Sequence, residues 1–229
     1  MIALGIDTSS SRASVGVASS DGALHAVLGL DSGVTHSERL LPAVRALLDV
    51  SGLSFQRIDL FAVTSGPGSF TGLRIGMAAA KGMALAAGRP LVGLSTLETI
   101  AAALGAEAAA DGPAPLVCVL MDAGRGEVYR GLYRLTSGEP AAEAPEAALR
   151  PGAAALLPGP AVICGSGFHA HRRAIEPLLP AGCIVVQAPA FLAGALARRG
   201  LGLAAPGRAL PPLAPNYLRA SDAEKAWRD

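Results

Sequence analysis

The chain has 229 residues, 51% hydrophobic and 16% charged, with 19 Lys+Arg against 18 Asp+Glu for a net charge of +1. That is enough apolar material for one large domain or two lobes of roughly 100 residues each. With 4% aromatic residues and no basic cluster, it excludes a stand-alone nucleic-acid binder, which needs a basic stripe with stacking rings. No apolar run approaches the roughly 20 residues of a membrane span, and the first residues lack the basic and apolar segments of a signal peptide. The three cysteines, Cys118, Cys164 and Cys183, share no Cys-x-x-Cys spacing, which suits free thiols in a reducing compartment. A soluble, cytoplasmic protein is expected.

Residues 2–7, 13–18 and 23–30 read as three short strands joined by turns rich in Ser, Asp and Gly. Thr35-His36-Ser37-Glu38 is a capping box, followed by Leu40, Leu41, Val44, Leu47 and Leu48 at helical spacing. Pro42 should kink that helix or mark its true first turn. Residues 60–64 read as a buried strand. They lead into Ser65-Gly66-Pro67-Gly68-Ser69-Phe70-Thr71-Gly72-Leu73-Arg74-Ile75-Gly76, which opens a helix over 71–87 closed by Gly88. A strand at 91–94 and a second capping box, Ser95-Thr96-Leu97-Glu98, start a helix to about residue 105. The boxes account for Glu38 and Glu98, which are therefore not read as a catalytic pair.

Residues 106–115 shift to Ala, Gly and Pro and read as a linker. The pattern then restarts with strands at 116–122 and 127–135 and a polar, alanine-rich loop from 137 to 150. Strand 161–165, helix 169–179, strand 183–187 and helix 191–199 follow, and a proline-rich arm at 206–215 precedes Asn216-Tyr217-Leu218-Arg219. The expected division is a first lobe at 1–105, a linker at 106–115 and a second lobe at 116–229.

The glycine loop between strand and helix offers backbone N–H groups and a helix dipole to an anion. It is no P-loop, because Gly72 is followed by Leu73-Arg74 where Lys and Ser or Thr are required. Asp7-Thr8-Ser9-Ser10 could turn a carboxylate toward a metal and hydroxyls toward a phosphate, or simply fasten a hairpin as an Asx turn. Asp122-Ala123-Gly124 ends a strand in the same way 122 − 7 = 115 residues later. In the helix, Gly72, Gly76, Ala79, Ala80 and Met83 line one face. Each interior glycine costs about 1 kcal/mol relative to Ala, so a close neighbour should offset it. Two neighbours fit: the chain's own lobe, or, as preferred here, a second subunit. His169-Ala170-His171 has no further ligand at metal spacing. Gly165-Ser166-Gly167 is short of G-x-S-x-G.

An Asp at the same point of two hairpins resembles the actin-like ATPase and sugar-kinase fold, whose paired hairpins close around nucleotide phosphates and a divalent metal. Asp7-Thr8-Ser9, the block from Ser65 to Gly76, the hairpin from Asp122 to Tyr129 and the ending Asn216-Tyr217-Leu218-Arg219 together resemble the bacterial TsaB family of tRNA threonylcarbamoyladenosine biosynthesis proteins. One departure is that the family usually has Arg directly after Asp-Ala, whereas Gly124 precedes Arg125 here.

The resemblance implies a two-lobed, duplicated actin-like (ribonuclease H-like) α/β fold with mixed sheets flanked by helices. It implies a non-catalytic subunit that pairs with the catalytic subunit TsaD, is completed by the ATPase TsaE, meets tRNA only through the complex, and forms a homodimer when alone. The expected partner face joins Leu40, Val44 and Leu47 to Ser69, Phe70, Thr71, Gly72, Arg74, Gly76, Ala79, Ala80 and Met83. TsaD-like chains carry a metal-binding H-x-x-x-H after the strand that follows the glycine-loop helix. The corresponding stretch here, Leu94-Ser95-Thr96-Leu97-Glu98-Thr99, has no histidine, so no metal and no catalytic residue are expected. Residual nucleotide contact would fall on Asp7, Thr8, Ser9, Ser10, Asp122 and Gly124, with ATP or ADP at or near the subunit seam. Two other functions are weighed: a stand-alone ATP-dependent enzyme of sugar-kinase type using Asp7 and Asp122, and a degenerate glycoprotease-like metallopeptidase, against which the missing histidines tell.

Overall fold

The computed structural model describes residues 1–31, 36–107, 115–204 and 210–219. In chain order, β1 (Ile2–Asp7), β2 (Ala13–Ser19) and β3 (Leu24–Leu30) precede α1 (His36–Ser51), β4 (Leu60–Gly66), α2 (Phe70–Ala87), β5 (Leu91–Ser95) and α3 (Thr96–Glu107). Then come β6 (Leu116–Gly124), β7 (Glu127–Thr136), β8 (Glu139–Leu149), α4 (Pro151–Ala154) and β9 (Val162–Cys164). The series ends with α5 (Ser166–Ala170), α6 (Arg172–Ile175), β10 (Ile184–Val185) and α7 (Ala193–Leu203).

The strands form two five-stranded sheets, ordered β3-β2-β1-β4-β5 and β10-β9-β6-β7-β8. In the first, β1 pairs antiparallel with β2 and parallel with β4, and β4 pairs parallel with β5. In the second, β6 pairs antiparallel with β7 and parallel with β9, and β9 pairs parallel with β10. Reading β6 for β1 and β9 for β4 superposes the two patterns, so the fold is the duplicated actin-like α/β architecture with mixed sheets flanked by helices.

The strands β1, β2 and β4 of the first sheet are buried on both faces, while β3 at its edge is largely exposed, and the sequence shows why. Leu4 and Ile6 of β1 and Phe61 and Val63 of β4 pack with Leu40, Leu47, Leu73 and Ala80 of α1 and α2. The alternate residues Ala3, Leu60 and Ala62 pack with Leu196 and Ala197 of α7. A strand covered on both faces reads as a continuous apolar run rather than an alternation. The second sheet builds its own core from Cys118, Leu120, Leu132, Ile163 and Phe168.

Three expectations are corrected. The chain does not divide once near residue 110: the first compact unit is Met1–Ala103 with Pro189–Pro215, and the second is Leu104–Ala188 with Asn216–Asp229. Thus α7 belongs to the first unit, not to a 116–229 lobe. Its backbone approaches β1 so closely that a Cβ on Gly5 would lie 2.1 Å from the Ala193 carbonyl oxygen, and Arg199 pairs with Glu98 at 2.8 Å. The 137–150 loop is instead β8, an edge strand, where Pro140 and Pro145 are tolerated because one side needs no ladder hydrogen bonds. The expected helix at 169–179 is broken into α5, α6 and a 3₁₀ turn at Glu176–Leu178, with Pro177 inside that turn. Thr35 of the first capping box, most of the expected linker and 206–209 of the proline-rich arm lie outside the described residues.

Candidate functional site

At the carboxyl end of β1, the Asp7 carboxylate accepts the Ser9 N–H at 3.0 Å and the Thr64 hydroxyl at 2.9 Å. Asp7, Thr8 and Ser9 are all buried. The i to i+2 bond is an Asx turn, so of the two readings of this hairpin the structure shows the fastening one at work. Ser10 is exposed and bonds locally to Arg12.

The glycine loop closes onto the same hairpin. Ser69 N–H donates to the Ser9 carbonyl at 2.7 Å, and the Ser69 hydroxyl accepts from Gly72 N–H as the N-cap of α2. Two N–H groups of the loop, those of Ser69 and Gly72, are therefore spent on protein groups. Gly68 and Gly72 are small for the same reason: a Cβ would lie 2.3 Å from the Ser9 carbonyl oxygen at the first and 2.2 Å from the Thr8 carbonyl oxygen at the second. One turn further on, a Cβ on Gly76 would lie 2.2 Å from the Thr8 hydroxyl, which itself donates to the Gly72 carbonyl at 2.8 Å.

This packing divides the residues of the expected partner face. Gly72 and Gly76 meet Thr8 in the turn after β1, and Leu40, Leu47 and Ala80 are buried in the unit's own core, so none of the five presents a side chain outward. Ala79 is half-buried, while Ser69, Phe70, Thr71 and Arg74 are exposed, the Arg74 guanidinium stacking 3.8 Å over the Phe70 ring. The outward stripe of α2 runs instead through Arg74, Ala78, Lys81, Gly82 and Leu85. Leu85 is 83% exposed, and a Cβ on Gly82 would meet nothing within 4 Å. Beside it, Val44 and Met83 line a groove of about 380 Å³ with Leu41, Arg45 and Phe55. Sequence reasoning placed Gly82 and Leu85 on the other face of the helix, with Ile75 and Ala78, and left Leu41 out of the expected partner face. The stripe of small residues it followed was real, but it points inward.

In the second unit, Asp122 repeats the Asx turn by accepting the Gly124 N–H at 3.0 Å. It differs from Asp7 in being exposed. Its carboxylate lies 3.4 Å from His171 Nε2, and its N–H donates to the Ser166 hydroxyl at 3.1 Å. Gly124, Arg125 and Gly126 all have positive φ, at 68°, 57° and 76°. For the arginine this conformation costs about 1–2 kcal/mol. Arg219 approaches the Gly124 carbonyl and the Glu127 carboxylate, each at 3.5 Å.

The residues do not fit the metal of TsaD-like chains. Where the two histidines would stand, Ser95 caps α3 by accepting from Leu97 and Glu98 N–H, and the Thr99 hydroxyl donates back to the Ser95 carbonyl. Thr96 is buried with its hydroxyl unpartnered. Neutral hydroxyls engaged in capping are poor ligands for a divalent transition metal. The Glu98 carboxylate turns away to Arg199 rather than back toward its own N-cap. Among the described residues no group of three His, Cys, Asp or Glu side chains could hold an ion, and no helix is long and apolar enough to cross a membrane.

Residues 31–181, more than half of the chain, match the family model described as TsaD: tRNA N6-adenosine threonylcarbamoyltransferase. The chain is 40% identical over 149 residues to the tRNA threonylcarbamoyladenosine biosynthesis protein TsaB of Escherichia coli, a match covering 65% of this chain and 62% of that protein. It is 32% identical over 196 residues to TsaB of Bacillus subtilis, covering 84% and 83% of the two. YeaZ from Pseudomonas aeruginosa superposes with a TM-score of 0.72 at 30% identity over 88% of this chain and 91% of that one. With a relative at this identity aligned over most of both lengths, on the same duplicated fold, the chain belongs to the TsaB family of tRNA threonylcarbamoyladenosine biosynthesis proteins, within the wider TsaD-like group.

Proposed function

We propose that this chain is the non-catalytic subunit of a tRNA threonylcarbamoyladenosine-forming complex, pairing with a catalytic TsaD subunit and supporting it. The carrying observation is the outward stripe of α2: an exposed Leu85 beside an interior glycine, Gly82, that nothing in its own unit requires to be small. A helix that leaves a leucine and a bare backbone facing water is suited to close approach by another helix, and the neighbouring groove accepts a side chain from it. The lack of histidine at 94–99, with the Glu98 carboxylate turned to Arg199, supports assigning the chemistry to the partner. In this reading ATP or ADP sits at or near the seam with TsaD, TsaE completes the assembly, and tRNA is met only through the complex. Without TsaD, the same face pairs two copies about a two-fold axis.

Co-expression with TsaD from the same organism tests the reading. The wild-type chain should co-purify with TsaD and raise tRNA modification above the level reached by TsaD alone. Leu85→Glu and Leu41→Glu should each lose the complex while leaving the isolated chain folded, as read by its circular dichroism spectrum. A complex that survives both substitutions refutes the docking face. A wild-type chain that neither binds TsaD nor raises modification refutes the subunit role.

A further inference from the structure

The face formed by α1 and α2 makes no use of the closing motif Asn216-Tyr217-Leu218-Arg219, which the second unit holds at two points. Asn216 Nδ2 donates to Glu146 Oε2 at 2.8 Å, and the other oxygen of that carboxylate accepts the Tyr133 hydroxyl, which ties the motif to β7 and β8. Three residues on, Arg219 Nη1 lies 3.5 Å from both the Gly124 carbonyl and the Glu127 carboxylate. These two groups flank the hairpin tip, Arg125-Gly126, on either side. The tip needs positive φ at both residues, and two-residue hairpins of that kind favour Asn, Asp or Gly at the position Arg125 holds. A left-handed arginine persists only where its surroundings over-determine it, and Arg219 is the cation that spans the turn with its side chain only 21% exposed.

We propose that this motif is a latch, with Asn216 as its anchor and Arg219 as the positioning residue that holds the β6–β7 hairpin in the left-handed conformation displaying Asp122 and Arg125. The latch acts through the hairpin and takes no part in the α1–α2 face. It therefore stands or falls separately from the docking reading.

Amide hydrogen exchange on the full chain tests it. In Arg219→Ala, the amides of residues 124–127 should exchange faster by on the order of tenfold, the weight of one charge-assisted hydrogen bond, while those of β9 keep their rates. Arg219→Lys should restore part of the protection. Glu127→Gln, which keeps Arg219 and removes its charge partner, should accelerate the same amides by a smaller factor. In an Arg125→Gly background, where the turn is no longer strained, Arg219→Ala should have a clearly smaller effect. Unchanged hairpin exchange in both Arg219→Ala and Glu127→Gln overturns the proposal. So does an acceleration spread evenly over the whole sheet, or an Arg219→Ala effect undiminished by Arg125→Gly.

Discussion

Two glycines six residues apart on α2 should respond to the same substitution with opposite signs. Gly76 faces the buried Thr8, and an added Cβ would lie 2.2 Å from its hydroxyl and 3.4 Å from its Cβ. Thr8 is fully buried and hydrogen-bonded to the Gly72 carbonyl, so it is a short, fixed side chain rather than the end of a flexible one. Forcing a methyl group into such a contact costs about 1–3 kcal/mol, and displacing the Thr8 hydrogen bond adds roughly 1 kcal/mol. Against this stands a gain of about 1 kcal/mol from placing Ala rather than Gly in a helix. Gly76→Ala should therefore lose about 1–3 kcal/mol. Gly82 has open space around its Cα, so Gly82→Ala keeps only the gain of up to about 1 kcal/mol. For a chain of this size each kcal/mol moves the melting temperature by about 2–4 °C. Thermal unfolding of the isolated chain, at a concentration where it is monomeric, should then place the two variants on opposite sides of wild type, on the order of 10 °C apart. If Gly76→Ala melts at or above wild type, or both shift in the same direction, the account of the glycine stripe as a seat for Thr8 is wrong.

Gly5→Ala should destabilise the first unit by lifting α7 off β1, since the methyl group would lie 2.1 Å from the Ala193 carbonyl oxygen and 2.9 Å from the Ala197 nitrogen, both fixed backbone atoms; limited proteolysis should then cut near α7 first. Burial pushes the Cys118 and Cys164 thiols up from 9.0 to about 12, so the native chain at pH 8 should react with a thiol reagent only through the half-buried Cys183, and through all three cysteines once unfolded. Because both thiols hold their protons more tightly when folded, their contribution to stability is complete below the unfolded value near 9 and falls away between pH 9 and 12. A denaturation midpoint that rose with pH across that window would contradict this assignment.

Much of the architecture was legible in local pattern. The apolar runs of β1 and β4, the Ser95 cap and the left-handed Gly88 closing α2 each follow from a few adjacent residues. The 115-residue spacing of Asp7 and Asp122 was enough to expose the duplication, which the two sheets repeat strand for strand. What failed was whatever depends on a neighbour far along the chain. The Ala- and Pro-rich β8 has weak strand propensity and exists because β7 pairs with it. The alanine- and glycine-rich α7 carries no mark that its partner is a sheet made of residues nearly two hundred positions earlier.

The sequence by itself determined that this is a duplicated α/β protein of the TsaB family whose 94–99 stretch lacks metal-binding histidines, because those properties reside in residue types and short-range spacing. Only the tertiary structure decided which way α2 faces. Small residues at helical spacing announce a close approach but not the body approaching; that body is Thr8 for Gly72 and Gly76, while Gly82 and Leu85 are left facing outward. The direction of a helix face is set by the packing of distant segments, and no window along the chain contains it.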